Sequence, residues 1–149
     1  EHDMPAILSL HPRTRVRLEA AGHELHPLVR AMAPLGLPDY VHLQQHGYCT
    51  ISDSGTITEE SSILGFPAVT VREAHERPEG MDVGVLIMSG GGPDELVRAV
   101  RTARAHFEAV GPPTLPPDYD ADDVSWKVTK IILSYTDFVN RRVWSVPPA

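Results

Sequence analysis

Tyr48-Cys49-Thr50-Ile51-Ser52-Asp53-Ser54-Gly55-Thr56-Ile57-Thr58-Glu59-Glu60 decides the fold. Tyr48 to Ser52 has the β-propensity and length of a short strand. Asp53-Ser54-Gly55 is a turn. Thr56 to Leu64 is helix-like, and Gly65 stops it. Phe66-Pro67-Ala68-Val69-Thr70-Val71 returns to strand. A strand, a helix and a second strand in that order imply parallel strands joined by a right-handed crossover.

The same alternation runs outward in both directions. Upstream, Ala6 to Leu10 reads as a buried strand, ending in the turn His11-Pro12. A helix follows from about Arg13 to Ala21, with Gly22 as its stop. Pro27 to Pro34 holds a second short apolar run, and Leu37-Pro38-Asp39 opens a helix that Gly47 closes after His46. Downstream, Glu76 to Gly84 is a polar loop or short helix, and Val85 to Met88 is a short strand. Pro93 occupies a first-turn position in a helix to about Val110. The stretch 111–117 holds four prolines and reads as an extended connector. In 123–142, Val124, Val128, Ile131, Ile132, Tyr135 and Val139 mark one face of a long helix. Trp126, Tyr135, Phe138 and Trp144 read as packing residues, against this domain or a neighbouring one. Short β-branched strands alternating with helices predict an α/β, Rossmann-like, three-layer domain with a parallel sheet.

Composition narrows the classes of function. The chain has 149 residues, 42% hydrophobic and 22% charged, with a formal charge of -7. This acidic balance disfavours nucleic acid and anionic membranes as partners. No run approaches the roughly 20 apolar residues of a membrane span, and the N-terminus has no signal-peptide pattern. One cysteine, Cys49, excludes an internal disulfide and fits a cytoplasmic location; inside an apolar strand it reads as an inert thiol. The only lysines are Lys127 and Lys130, so arginine supplies nearly all the cationic chemistry. The opening Glu1-His2-Asp3 lacks a Met and hints at a piece of something longer.

In parallel α/β sheets, ligands bind beyond the carboxyl ends of the strands. That rule points to the loops after Leu10, after Ser52 and after Val71. In the second, Gly55 permits close backbone approach, and the helix start offers unpaired N–H groups to an anion such as a diphosphate. Ser54 and Thr56 add hydroxyls, and Glu60 lies one turn on, where a carboxylate can accept from a sugar diol. An ordinary N-cap by Asp53 or Ser54 is the competing account. The third loop, Arg72-Glu73-Ala74-His75-Glu76-Arg77-Pro78-Glu79-Gly80, suits an anion site in which carboxylates orient arginines, or a solvated charged loop. The first, His11-Pro12-Arg13-Thr14-Arg15, faces a cleft or simply starts a helix. His42 and His46 stand at metal-capable spacing without a third ligand, so no metal is expected.

Ser52 to Glu60, Leu64-Gly65-Phe66-Pro67 and Glu76-Arg77-Pro78-Glu79 resemble the non-hydrolysing UDP-N-acetylglucosamine 2-epimerases. The resemblance runs from Ile7 to Trp144. His11-Pro12-Arg13-Thr14 and Ser54-Gly55-Thr56 are written as in the capsule and antibiotic-sugar branch. It implies that residues 1–149 are the UDP-binding, C-terminal half of a two-domain GT-B fold, with the N-terminal domain absent. Ser54, Gly55 and Thr56 would meet the diphosphate, Glu60 the ribose, and the backbone around Tyr40 the uracil. His11, Arg13, Arg72, Glu76 and Arg77 would line the cleft near phosphates or sugar. Some members carry a histidine where this chain has Ser9, and that departure weakens the carry-over of their allosteric substrate site.

The implied reaction interconverts UDP-N-acetylglucosamine and UDP-N-acetylmannosamine. A proton leaves C2, UDP is eliminated to give a glycal, and UDP re-adds after protonation on the other face. No cofactor is implied. The acid–base carboxylates belong to the missing domain, so the chain alone is expected to be inactive and to bind UDP weakly. Its partners would be UDP, a UDP-N-acetylhexosamine and the missing domain; the exposed half-interface also predicts a homo-oligomer. Two alternatives stand beside this one: the same domain of a hydrolysing epimerase or GT-B glycosyltransferase, and a non-catalytic α/β interaction module.

Overall fold

The computed structural model describes residues 3–74 and 76–146. The chain comprises two compact units, Glu1–Tyr48 and Cys49–Ala149. Among the described residues, all strand pairing in both units is parallel.

The first unit contains β1 (Ala6–Ser9), α1 (Pro12–Ala20), β2 (Val29–Met32) and α2 (Leu37–His46). β1 and β2 pair with Ala6 opposite Val29 and Ser9 opposite Met32. Pro12 begins α1 because its missing N–H is not needed in a first turn. Pro38 does the same for α2, and the Gly47 N–H closes that helix on the Leu43 carbonyl at 2.8 Å. The expectation of a buried first strand is corrected here. Ala6, Ile7 and Ser9 are exposed, and burial begins only at Leu10. The physical reason is that α1 buries none of its own residues, so it does not seal the ladder it connects.

The second unit runs β3 (Thr50–Ser52), α3 (Ile57–Leu64), β4 (Ala68–Thr70), α4 (Pro78–Asp82), β5 (Ile87–Met88), α5 (Pro93–Val110) and α6 (Val124–Arg142), with a 3-10 turn at Pro117–Tyr119. The strand order is β3-β4-β5. Thr50 faces Ala68, and Val69 faces Ile87. Neighbouring residues of β4 point to opposite faces, yet all three are buried, so both faces of this central strand are covered. Ile57, Phe66, Ala68, Val85 and Leu86 form the core, with Leu64 and Val83 packed against it.

Local chemistry explains how that core is reached. Gly65 takes the left-handed conformation at φ 72°, ψ 51° and terminates α3. The N–H groups of Gly65 and Phe66 both return to the Ser61 carbonyl, at 2.9 and 3.2 Å. This turn delivers Phe66 into the interior, where it is fully buried. α5 places Ala99 and Val100 against the sheet.

β4 and β5 are shorter than the sequence suggests. Pro67 has no N–H for a ladder, and the Val85 N–H is taken by the Gly80 carbonyl at 2.9 Å. α6 has the expected length, but its aromatic residues are not buried among the described residues. Trp126, Tyr135, Phe138 and the following Trp144 are all exposed, as are Val128, Ile131 and Ile132. No helix among the described residues is long and apolar enough to cross a membrane.

Cys49 precedes β3 and is half-buried. Burial lifts its thiol from an ordinary 9.0 to about 12, against a smaller opposing pull from Arg104. A proton held more tightly in the folded state contributes stability below pH 9, and that contribution is lost as pH rises towards 12. Denaturant titrations should show stability falling above pH 9, with the raised Tyr119 hydroxyl adding to the fall at higher pH. Cys49→Ala should flatten that part of the curve; an equal slope in the variant would contradict the assignment.

Candidate functional site

The carboxyl ends of β3 and β4 lie side by side because the strands are parallel neighbours. The loops that follow them therefore converge. Ser54, Gly55, Ile57, Thr58, Thr70, Arg72, Ala74, Glu76 and Arg77 line one recess. Two loops distant in sequence are thus joined as the strand-end rule predicts.

The start of α3 is not closed by a side-chain cap. Thr56 is the N-cap residue by position, and its own side chain accepts no N–H of the helix. Ser54 Oγ instead accepts the Thr56 N–H at 3.3 Å, and the Ser54 and Thr56 hydroxyls are 2.9 Å apart. The Ile57 and Thr58 N–H groups reach only long contacts, 3.4 and 3.5 Å, to the Ser54 and Gly55 carbonyls. These are weak bonds. They leave donor capacity at the positive end of the helix dipole.

Gly55 sits against the cationic wall. A Cβ at this position would lie 3.5 Å from Arg72 Nη1, 3.6 Å from Glu76 Oε2 and 3.9 Å from Arg77 Cζ. Arg72 Nη2 donates to Glu76 Oε1 at 2.7 Å, and Arg77 Nε donates to Glu59 Oε1 at 2.7 Å. The Glu59 bond and charge are the leading causes that strengthen proton retention by Arg77. Glu60 lies just outside the recess lining and accepts from Thr56 Oγ1 at 2.7 Å. His75 lies outside the described residues.

His11, Arg13 and Tyr40 belong to the first unit. His11 Nδ1 accepts the Arg13 N–H at 3.2 Å and caps α1, as the helix-start account holds. The Tyr40 N–H donates to the Gly36 carbonyl at 3.0 Å in the first turn of α2. The His42 and His46 rings stack with centroids 4.1 Å apart. Sequence reasoning did not single out Thr70, Ala74 or Glu59 for the site. Ala74 lies in the loop to which the strand-end rule already pointed, and Thr70 ends β4 just before it. Nothing local in the sequence marks the partner of Glu59.

The recess is shallow, with about 10 Å³ of enclosed space. A larger hollow of about 380 Å³ lies at the opposite, amino-terminal end of β4 and β5, by the end of α5. Its lining includes Val85, Phe107, Val110 and His106 but neither Arg nor Lys. It is the wrong chemistry for an anion, and the smaller recess has the cationic side chains.

Fold and site together define a parallel α/β protein with its polar constellation at the strand carboxyl ends. The family model described as UDP-N-acetylglucosamine 2-epimerase matches residues 1–133, and the chain belongs to that family. A UDP-N-acetylglucosamine 2-epimerase of Methanococcus maripaludis is 34% identical over 104 residues, covering 67% of this chain and 28% of the relative. The structure of the UDP-N-acetylglucosamine 2-epimerase from Rickettsia bellii superposes with a TM-score of 0.79 at 47% identity. It covers 94% of this chain and 39% of that one. A Methanocaldococcus jannaschii UDP-GlcNAc 2-epimerase in complex with UDP-GlcNAc and UDP gives 0.71 at 28% identity, covering 90% of this chain and 36% of that one. The chain therefore spans less than two fifths of the length of these relatives.

Proposed function

We propose that this chain is the nucleotide-holding, C-terminal half of an isomerase that interconverts UDP-N-acetylglucosamine and UDP-N-acetylmannosamine. One observation carries the reading: a helix start with weakly engaged N–H groups and two arginines meet at Gly55, beyond the carboxyl ends of parallel strands. Weakly engaged N–H groups with guanidinium donors suit a diphosphate, both as bound group and as leaving group. Ser54, Gly55 and Thr56 hold the diphosphate. Glu60, oriented by the Thr56 hydroxyl, takes the ribose. Arg72, Glu76 and Arg77 serve the phosphate side. The roles of His11, Arg13 and Tyr40 rest on the family resemblance alone. The lone Cys49 fits a reducing cytoplasm.

The chemistry requires proton removal at C2 of the sugar, elimination of UDP to a glycal, and re-addition after protonation on the opposite face. That demands a carboxylate base and a general acid near C2. We place those groups in the part of the relatives' length that this chain does not span. The enclosed volume of the recess, about 10 Å³, supports that division, since a nucleotide-sized ligand needs a cleft of roughly 300 Å³ or more. The exposed apolar residues of α6 support it too, for a helix so bare of cover needs a partner.

Titration of the 149-residue chain with UDP, followed by backbone NMR, tests the reading. Weak, fast-exchange shifts are expected at Ser54, Gly55, Ile57 and Thr58, with no turnover of UDP-N-acetylglucosamine by the chain alone. Unmoved resonances at saturating UDP would overturn the nucleotide assignment, and full epimerase turnover by the chain would overturn the division of labour. In light scattering, the chain alone is expected to self-associate through the bare face of α6. A strict monomer at high concentration would count against that surface.

A further inference from the structure

Glu59 is the third residue of α3, and Arg77 immediately precedes α4. The two are 18 residues apart in sequence and are joined by a 2.7 Å hydrogen bond from Arg77 Nε to Glu59 Oε1. Arg77 Nη1 also donates to the Glu76 carbonyl at 3.3 Å. With its Nε and one Nη both engaged, the planar guanidinium loses rotational freedom. It is held with Cζ beside Gly55, at the wall of the recess.

A carboxylate beside an anion site needs a reason, because its charge opposes the ligand's. Favouring the helix dipole is an insufficient one, since an acidic side chain in the first turn can do that while fully hydrated. Glu59 is instead drawn inward: its other oxygen, Oε2, is buried and accepts no hydrogen bond among the described residues. Such desolvation is unfavourable unless a cation compensates it, and Arg77 is the cation that meets it.

A second brace reaches the same turn. Tyr119, in the 3-10 turn after the proline connector, donates its hydroxyl to Glu79 Oε1 at 2.7 Å. Glu79 is two residues beyond Arg77, at the start of α4. The turn is thus gripped from α3 and from the 3-10 turn.

We propose that Glu59 is a positioning residue, which fixes Arg77 over Gly55 so that its guanidinium is presented, already oriented, to the diphosphate of the nucleotide. The proposal rests on the diphosphate reading above and adds a residue that touches no ligand itself. Removing Glu59 frees Arg77 to sample other rotamers, so its contribution is lost without loss of its charge. Loss of one charge-assisted hydrogen bond to the ligand corresponds to roughly tenfold in affinity.

The test is a cycle of Glu59→Ala, Arg77→Ala and the double variant in the 149-residue chain, each titrated with UDP by NMR. Glu59→Ala is expected to weaken UDP about tenfold, and Arg77→Ala by at least as much. The double variant is expected to bind as Arg77→Ala does, because Glu59 acts only through Arg77. Glu59→Gln keeps an acceptor for Nε and should restore most of the affinity. Glu59→Asp keeps the charge but shortens the reach. It should lose affinity as the alanine variant does, and it serves in place of that variant should alanine fail to fold. The Arg77 Nε–Hε resonance should be protected from exchange in the parent chain and in Glu59→Gln, and unprotected in Glu59→Asp. Equal UDP affinity in parent and Glu59→Asp, or additive losses in the double variant, would overturn the positioning role while leaving the diphosphate reading intact. A parent chain with a protected Arg77 resonance but no UDP-induced shift would overturn the diphosphate reading instead, and the assigned role with it.

Discussion

Phe66→Ala is expected to destabilise the second unit by about 3–5 kcal/mol, the usual range for emptying a large aromatic from a close-packed core. Phe66 is fully buried and touches the cluster of Ile57, Ala68, Val85 and Leu86. Two consequences add. The transfer free energy of the ring is lost, and the hollow left behind is bordered by short elements anchored at both ends. The Phe66 N–H is fixed to the Ser61 carbonyl at 3.2 Å, and Gly65 before it holds the left-handed turn. The backbone therefore has little freedom to collapse into the space. Domains of this size have a total stability of about 5–15 kcal/mol, so the variant loses between about a fifth and all of it, and its urea midpoint should fall clearly. Urea titration of parent and variant checks this. A loss under 1 kcal/mol would mean that the cluster is not the unit's core. Because Ile57 belongs both to the cluster and to the recess lining, such a variant should also lose the anion site.

Punctuation made the helices legible in the sequence. α2 and α5 begin and end where Pro38, Gly47, Pro93 and Gly111 place them, because proline fixes a first turn and glycine releases a last one. Strand limits were less legible because they depend on partners. β5 is only Ile87–Met88, since Val85 spends its N–H on α4. Periodicity identified an apolar stripe on α6, but a stripe states that cover is needed, not which part of a protein supplies it. β1 shows the same limit: an apolar run was read as burial, yet Ile7 is exposed.

The candidate site divides in the same manner. Its position followed from topology, since parallel neighbours bring their carboxyl-end loops together whatever those loops contain. Its internal wiring did not. Glu59 with Arg77, and Tyr119 with Glu79, are 18 and 40 residues apart, and no spacing rule links residues that meet only when separate elements fold. Arg72 with Glu76 is the reverse case. Its partners are four residues apart in one loop, where the charge pattern already suggested carboxylates orienting arginines without saying which.

Arg72→Ala separates binding from folding. Arg72 keeps about a third of its side chain in water, and its partner Glu76 keeps more than half. An ion pair so exposed contributes at most about 1 kcal/mol to stability, and less in salt. Its loss should leave the urea midpoint nearly unchanged, in contrast to Phe66→Ala. Towards a diphosphate the same guanidinium acts differently. It stands 3.5 Å from where a Gly55 Cβ would be, beside the weakly engaged N–H groups of α3, and it can place two parallel donors on one phosphate. Charge-assisted hydrogen bonds of this kind contribute about 1.5–3 kcal/mol, so UDP affinity should fall by roughly 10- to 150-fold. Arg72→Lys should recover only part of the loss, because an ammonium restores the charge without the fork. Calorimetry or NMR titration with UDP measures the affinities, and a urea midpoint measured alongside reads the fold. An Arg72→Ala chain that binds UDP as tightly as its parent would remove the cationic wall from the site and leave the helix start to hold the anion alone.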